Sequence, residues 1–301
     1  MADTQGEIRG AAPPPMPGVG PSLPYPVKAA ATSARSAAWL ARTRGRPHAG
    51  LRILLYHRVA DDRDPLAIPP ARFREQMDFL ASAGYRAVDL MEALALLDRG
   101  DVPPRTVGLT FDDGFADVRD EALPALAAHG FRATVFVTTG VTDGRCSFPW
   151  YARQPPLLGW DDVVALDREG TLRFEAHTIT HPNLLATGDA TARAEIAESR
   201  LELEARLERS VRAFAYPAGL YGVRERRLVE EAGYAAAVSC EPGVLLPDAD
   251  RFALPRRQID SRDRLLDFRA KVGGGHDTPL PLRGLYRRVR YGAPRRASSR
   301  A

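Results

Sequence analysis

The sequence predicts an α/β fold, a closed or nearly closed barrel of about seven parallel strands wrapped by helices. Three observations lead there. Strand-length apolar runs alternate with helix-patterned stretches roughly seven times between residues 51 and 270. Runs such as Val107-Gly108-Leu109-Thr110-Phe111 and Thr134-Val135-Phe136-Val137 suit strands buried on both faces. No Gly-x-Gly-x-x-Gly or Walker sequence follows any strand, which argues against nucleotide-binding versions of such a sheet.

The elements follow in order. Residues 1–49 read as an extension, rich in Ala, Pro and Gly and disordered to about residue 24. Over 26–44, Val27, Ala30, Ala34, Ala37, Ala38 and Leu40 alternate with Lys28, Arg35, Arg42 and Arg44. That pattern is a weak basic helix, either docked, frayed or lying at a membrane surface. A single domain spans 50–272. It opens with the strand Leu51–Arg58, whose end carries His57. Phe73, Met77, Phe79 and Leu80 then mark a helix stopped by Gly84. A strand over Tyr85–Leu90 and a helix over Met91–Leu97 follow, and Pro103-Pro104 breaks the chain before the strand at 107.

Ala116–His129 reads as a helix kinked at Pro124 and ended by Gly130. After the strand at 134, residues 140–159 form a long loop with Phe148, Trp150 and Tyr151, suited to wall a cleft. Trp160–Leu166 is a helix, Leu172–Ala176 a strand leading into His177, and Ala190–Arg209 a long charged helix. Val211–Tyr216 is a strand broken by Pro217, Val223–Ala232 a helix, and Ala235–Ser239 a strand. Phe252–Ile259 gives the last strand, and Ser261 is placed to cap a final helix reaching Ala270. Residues 273–301, with Gly273-Gly274-Gly275 and arginines from Arg283 to Arg296, read as a basic, loosely held tail.

A formal charge of only +4 over 301 residues, with scattered arginines, does not point to nucleic acid. Cys146 and Cys240 form neither a metal-ligand spacing nor a disulfide framework. No apolar run is long enough for a transmembrane helix, and the first residues lack the plan of a secretory signal. The default expectation is a cytoplasmic or membrane-peripheral protein, or an extracytoplasmic one if the true start differs.

Asp112 and Asp113 end a buried strand, where α/β folds place their chemistry. Adjacent carboxylates repel, and burial sharpens the conflict, so a cation beside them is one solution; a plain Asp-Asp-Gly surface turn is the other. His177-Thr178-Ile179-Thr180-His181 follows a second strand and turns two imidazoles to one side. Neutral imidazoles suit zinc and related ions. Thr178 excludes the His-Glu-x-x-His pattern of zinc proteases. Together the clusters suggest a site of two histidines and one carboxylate, with positions open to water or substrate.

Thr110-Phe111-Asp112-Asp113-Gly114, then His177-Thr178-Ile179-Thr180-His181, then Phe214-Ala215-Tyr216-Pro217-Ala218-Gly219 resemble successive motifs of the polysaccharide deacetylase family (NodB-homology domain, carbohydrate esterase family 4). The resemblance covers residues 51 to about 270. It implies a distorted, NodB-like (β/α) barrel, a divalent metal, most often Zn2+, and removal of N-acetyl groups from sugars of an N-acetylhexosamine glycan. It also implies that Asp113, His177 and His181 hold the metal and that Asp112 is the general base. Tyr216, Pro217 and Ala218 then belong to the oxyanion and substrate turn, with the Ala218 N–H as donor.

Two positions depart from the family pattern. The third motif usually carries an arginine that orients the base, and Ala215 stands there. The closing Leu-x-His motif is also absent after residue 250. Arg256 is the candidate for the missing cation beside Asp112. His57, on a first strand that a closed barrel sets beside the last, is the candidate general acid. That placement resembles the branch acting on poly-N-acetylglucosamine. The departures leave two alternatives: a catalytically silent glycan-binding module, and a metal-dependent hydrolase of another amide or ester.

The remaining candidates have plainer readings. His129 suits the electrostatics of a helix end, and His48 and His276 are expected in solvent. Trp150, Tyr151 and Trp160 are placed either to stack on sugar rings or to pack at the rim. Asp161-Asp162 suits a helix start.

Overall fold

Strand and helix alternate as the sequence predicts, and the computed structural model describes residues 25–278. The amino-terminal part runs α1 (Tyr25–Thr43), β1 (Arg52–Tyr56), β2 (Arg58–Val59), β3 (Ala67–Ile68), α2 (Pro70–Ser82), β4 (Arg86–Val88) and α3 (Leu90–Asp98). The middle holds β5 (Thr106–Asp113), α4 (Leu123–Ala127), β6 (Ala133–Val137), α5 (Thr139–Thr142), α6 (Trp160–Glu169) and β7 (Leu172–Ala176). The last part holds α7 (Asp189–Leu207), β8 (Ala213–Ala215), α8 (Val223–Glu231), β9 (Ala236–Val238), β10 (Arg257–Gln258) and α9 (Leu265–Gly273).

All pairings in the main sheet are parallel, in the order β10-β1-β5-β6-β7-β8-β9, with β4 beside the start of β5. These strands curl into a NodB-like distorted (β/α) barrel. The gap between β9 and β1 is stitched by the segment before and through β10. The Leu254 N–H donates to Ala237 and the Ile259 N–H to Leu55. The predicted strand Phe252–Ile259 is therefore shortened to two residues plus a bridge at Leu254. Pro255, between them, has no N–H to give a ladder.

Alternation along the strands sorts side chains between two cores. Val107, Leu109 and Phe111 of β5 face the helices with Tyr56, Phe73 and Met77. Ile53, Phe136, Ala213, Ala215 and Val238 fill the barrel, with Leu90, Leu94 and Leu97 packed in the same cluster. Thr110 and Asp112 fall on the face opposite Phe111.

Several local expectations change. The helix predicted over Ala116–His129 opens as a wide π-turn at Val118–Ala122 and becomes α-helical only at α4. Pro124 sits in the first turn of α4, where its missing N–H costs nothing. Ser261 does not cap the final helix; its hydroxyl donates to Pro65, and Asp267 accepts from the Arg264 N–H at the start of α9 instead.

Residues 273–278 are not loosely held. Trp39 of α1 packs over Gly273 and Gly275, Arg52 binds Asp277 at 2.7 Å, and His276 is buried against the Ser36 hydroxyl. The solvated His276 of the sequence reading is thus corrected: it lies between α1 and the end of α9. The expectations for residues 1–24 and for Arg283 to Arg296 fall outside the described residues. No described helix is long and apolar enough to cross a membrane.

Candidate active site

Register brings the chemistry to one end of the barrel. Asp113 pairs with Val137 of β6, and Val137 pairs with Ala176 of β7, so His177 lies one step beyond that row. Asp113 takes a left-handed φ of 75°, which breaks the strand's alternation at its last residue. Gly114 must follow: its φ is 76°, and a Cβ there would stand 2.9 Å from Val137.

Asp113, His177 and His181 are buried, and one ligand atom of each lies within 4.8 Å of the others. Asp113 Oδ1 is 3.6 Å from His177 Nε2 and 3.8 Å from His181 Nε2. The His177 Nδ1–H donates to the Ala215 carbonyl at 2.8 Å, which leaves the Nε2 lone pair facing Asp113. Asp113 Oδ1 is buried without a hydrogen-bond partner. Burial, then the charges of Asp112 and Asp64, push its carboxyl well above the usual range. Burial pulls both histidines down, which favours their neutral rings. An orphaned carboxylate oxygen facing two neutral imidazoles fits a divalent cation, and these three side chains can hold one.

Asp112 has a different environment. Arg256 grips both its oxygens, Nη1 to Oδ1 at 2.6 Å and Nη2 to Oδ2 at 2.7 Å, with both side chains buried. The guanidinium also donates to Thr110 Oγ1 and the Ser239 carbonyl, and lies 5.4 Å from the ring centre of Phe136. Burial raises the Asp112 carboxyl, but Arg256 outweighs it and holds the group at about 2. The structure therefore places Arg256 beside Asp112, on the barrel side that Ala215 leaves without a cation.

His57 follows β1, which lies between β10 and β5. Its buried Nδ1 has no partner, and it interacts electrostatically with Asp112, Arg256, His177 and Asp64. Burial lowers its pKa to about 4. Ala218 turns the chain after β8 with φ 53° and ψ 15°. The turn's hydrogen bonds run from Gly219 N–H to Tyr216 and from Leu220 N–H to Pro217, and do not use the Ala218 N–H.

Tyr216 lies in the helix-facing core with Phe214. Its ring is buried, stacks on Tyr221 and donates its hydroxyl to the Phe252 carbonyl.

Aromatic side chains of the loop at 140–159 pack beside the cluster. Trp150 stands 4.8 Å from the His181 ring and stacks on Phe148. The Tyr151 hydroxyl donates to Asp64 at 2.5 Å, tying this loop to the β2–β3 loop. Trp160 points elsewhere, donating to Asp143 beneath Arg206. His129 pairs with Asp78 of α2, and His48 accepts from Trp39. Asp162 accepts from the Gly159 N–H at the start of α6.

An Asp-His-His cluster and a second, arginine-bound aspartate thus lie together at the carboxyl end of a NodB-like barrel. Residues 99–237 match the polysaccharide deacetylase family model. Those residues therefore carry a polysaccharide deacetylase domain, a domain of hydrolases acting on carbon–nitrogen bonds. The chain is 28% identical to YxkH of Bacillus subtilis (strain 168) over 70% of this chain and 72% of that one. It is 24% identical to the poly-beta-1,6-N-acetyl-D-glucosamine N-deacetylase of Staphylococcus aureus (strain MRSA252), over 63% and 67% respectively. IcaB from Ammonifex degensii has the same fold, with a TM-score of 0.66 at 24% identity over 76% of this chain and 99% of that one.

Proposed function

We propose that the protein is a metal-dependent N-deacetylase that releases acetate from N-acetylhexosamine units of a glycan of the poly-N-acetylglucosamine kind. The observation that carries this reading is the orphaned Asp113 Oδ1 facing the Nε2 atoms of His177 and His181. The similarity to the staphylococcal enzyme supports the substrate class. A divalent cation on these three ligands, Zn2+ by donor chemistry, would polarise the acetamide carbonyl and acidify water at its open positions.

The chain's own groups do the rest. Asp112, kept ionised and aimed by Arg256, takes a proton as water oxygen bonds to the acetyl carbon. The Ala218 N–H donates to the oxyanion that forms. The carbon–nitrogen bond then breaks, and His57 delivers a proton to the departing amine nitrogen, leaving acetate. The resting His57 ring is neutral, so its proton arrives during the cycle; Asp112, which has gained one from water, is the source. Trp150 and Phe148 shield the His181 side from bulk water.

The test is acetate release from oligomers of β-1,6-linked N-acetylglucosamine. Turnover is expected to vanish on chelation and return with zinc. Zinc binding without hydrolysis of any acyl donor would favour the silent glycan-binding module. Hydrolysis of simple amides or esters alone would favour the third class.

A further inference from the structure

Two of the three proposed metal ligands, His177 and His181, flank a loop braced from within, where the His181 N–H donates to Thr178 Oγ1 at 3.0 Å, and from two other elements. Thr178 and His181 both have left-handed backbones, with φ of 68° and 58°. Such backbones persist only where the surrounding structure imposes them. The carbonyl side of the loop is held by the start of α5. Thr139 N–H donates to the Thr178 carbonyl at 3.1 Å and Gly140 N–H to the Ile179 carbonyl at 2.8 Å. A Cβ on Gly140 would stand 2.8 Å from that same carbonyl, so the approach requires glycine.

The N–H side is held by one buried carboxylate from another element. Glu195 of α7 accepts from the Ile179 N–H at 2.8 Å and the Thr180 N–H at 2.9 Å through Oε2, and from the Thr180 hydroxyl at 2.5 Å through Oε1. Three donors converge on it, and a carboxylate is the side chain that only accepts. Glu195 touches neither imidazole, yet it fixes the peptides between them.

We propose that Glu195 is a positioning residue that sets the affinity of the Asp113–His177–His181 site for its cation by clamping the loop between the two histidines. The proposal rests on the metal-dependent reading above. Without the clamp, two N–H groups lose their acceptor, the loop relaxes from its left-handed turns, and the imidazoles no longer converge on Asp113.

The experiment is a zinc titration of the metal-free protein against a competing chelator, with cobalt(II) absorption as a report on ligand geometry. Glu195→Ala is expected to weaken zinc binding about 10–100-fold and to alter the cobalt spectrum. Glu195→Gln keeps one oxygen for the two N–H groups and is expected to fall between the alanine variant and wild type. Should the alanine variant fail to fold, the glutamine variant carries the test. Asp267→Asn is the control, because Asp267 also accepts a backbone N–H and a hydroxyl, from Arg264 and Ser33, at α9. It is expected to lower the melting temperature and leave zinc affinity unchanged. Wild-type affinity in both Glu195 variants, or an equal loss in Asp267→Asn, would overturn the proposal. A wild-type protein that binds no zinc would overturn the metal-dependent reading itself.

Discussion

Asp112 and Asp113 are neighbours in sequence and opposites in surroundings. Asp112 points into the barrel, where Arg256 saturates both oxygens and holds its carboxyl at about 2. Asp113 turns to the mouth through a left-handed backbone and keeps an oxygen without a partner, its carboxyl pushed well up by burial and by its neighbour's charge. One carboxylate is paired by the protein on both oxygens; the other keeps an oxygen unpaired beside two imidazoles. The difference shows how a fold separates two chemically identical groups: alternation picks the face, a positive φ breaks it, and a partner from a distant strand completes only one of them.

The largest expected effect comes from erasing the unpaired side. Asp113→Asn is predicted to abolish zinc uptake and turnover while making the metal-free protein more heat-stable near neutral pH. The sign follows from the raised carboxyl: an ionised Asp113 is disfavoured in the folded state, and an amide carries no such penalty. Calorimetric melting of both metal-free proteins checks it. Next is His57, the proposed proton donor. His57→Ala is predicted to cut kcat by about 10²–10⁴ with zinc stoichiometry unchanged, measured by acetate release and metal analysis of one preparation.

Breaking the paired side is predicted to cost stability as well as rate. Arg256→Met leaves a buried carboxylate unpaired and should destabilise the fold by about 3–5 kcal/mol in denaturant melts. The acid limb of its pH–rate profile should also move to higher pH, because the base loses the cation that kept it ionised. In the wild type the pair has its own acid dependence. The folded value of about 2 lies below the ordinary 3.8, so its contribution is complete above the ordinary value and lost as pH falls through the folded one. The smallest effect is expected at the 140–159 loop: Tyr151→Phe removes one hydrogen bond to Asp64 and should cost about 1 kcal/mol, with turnover within a few-fold of wild type.

Much of this site is legible in the sequence because its residues sit where strands end. Val107 to Gly114 announces a buried strand and a turn, and His177 to His181 follows a second strand, so both clusters map to one sheet end before any coordinates are known. Arg256 is harder to read, since only the barrel's closure brings a residue so far along the chain onto Asp112. Tyr216 shows that a motif fixes a position and not the direction of a side chain, since its ring lies in the helix-facing core. Glu195 left a faint signal, an acidic residue on the same face of α7 as the buried Ala192, Ile196 and Ser199. His276 reads as tail until α1 and Trp39 are seen to pack over it, a contact between the two ends of the described chain that no local pattern encodes.

The central claim is the division of labour between Asp112 and Asp113, and one paired measurement tests it: zinc bound and acetate released, followed together as metal-free protein is titrated with zinc. Asp112→Asn is predicted to bind one zinc per chain near wild-type affinity and release no acetate, while Asp113→Asn binds none. Loss of zinc in Asp112→Asn with retention in Asp113→Asn would contradict the assignment.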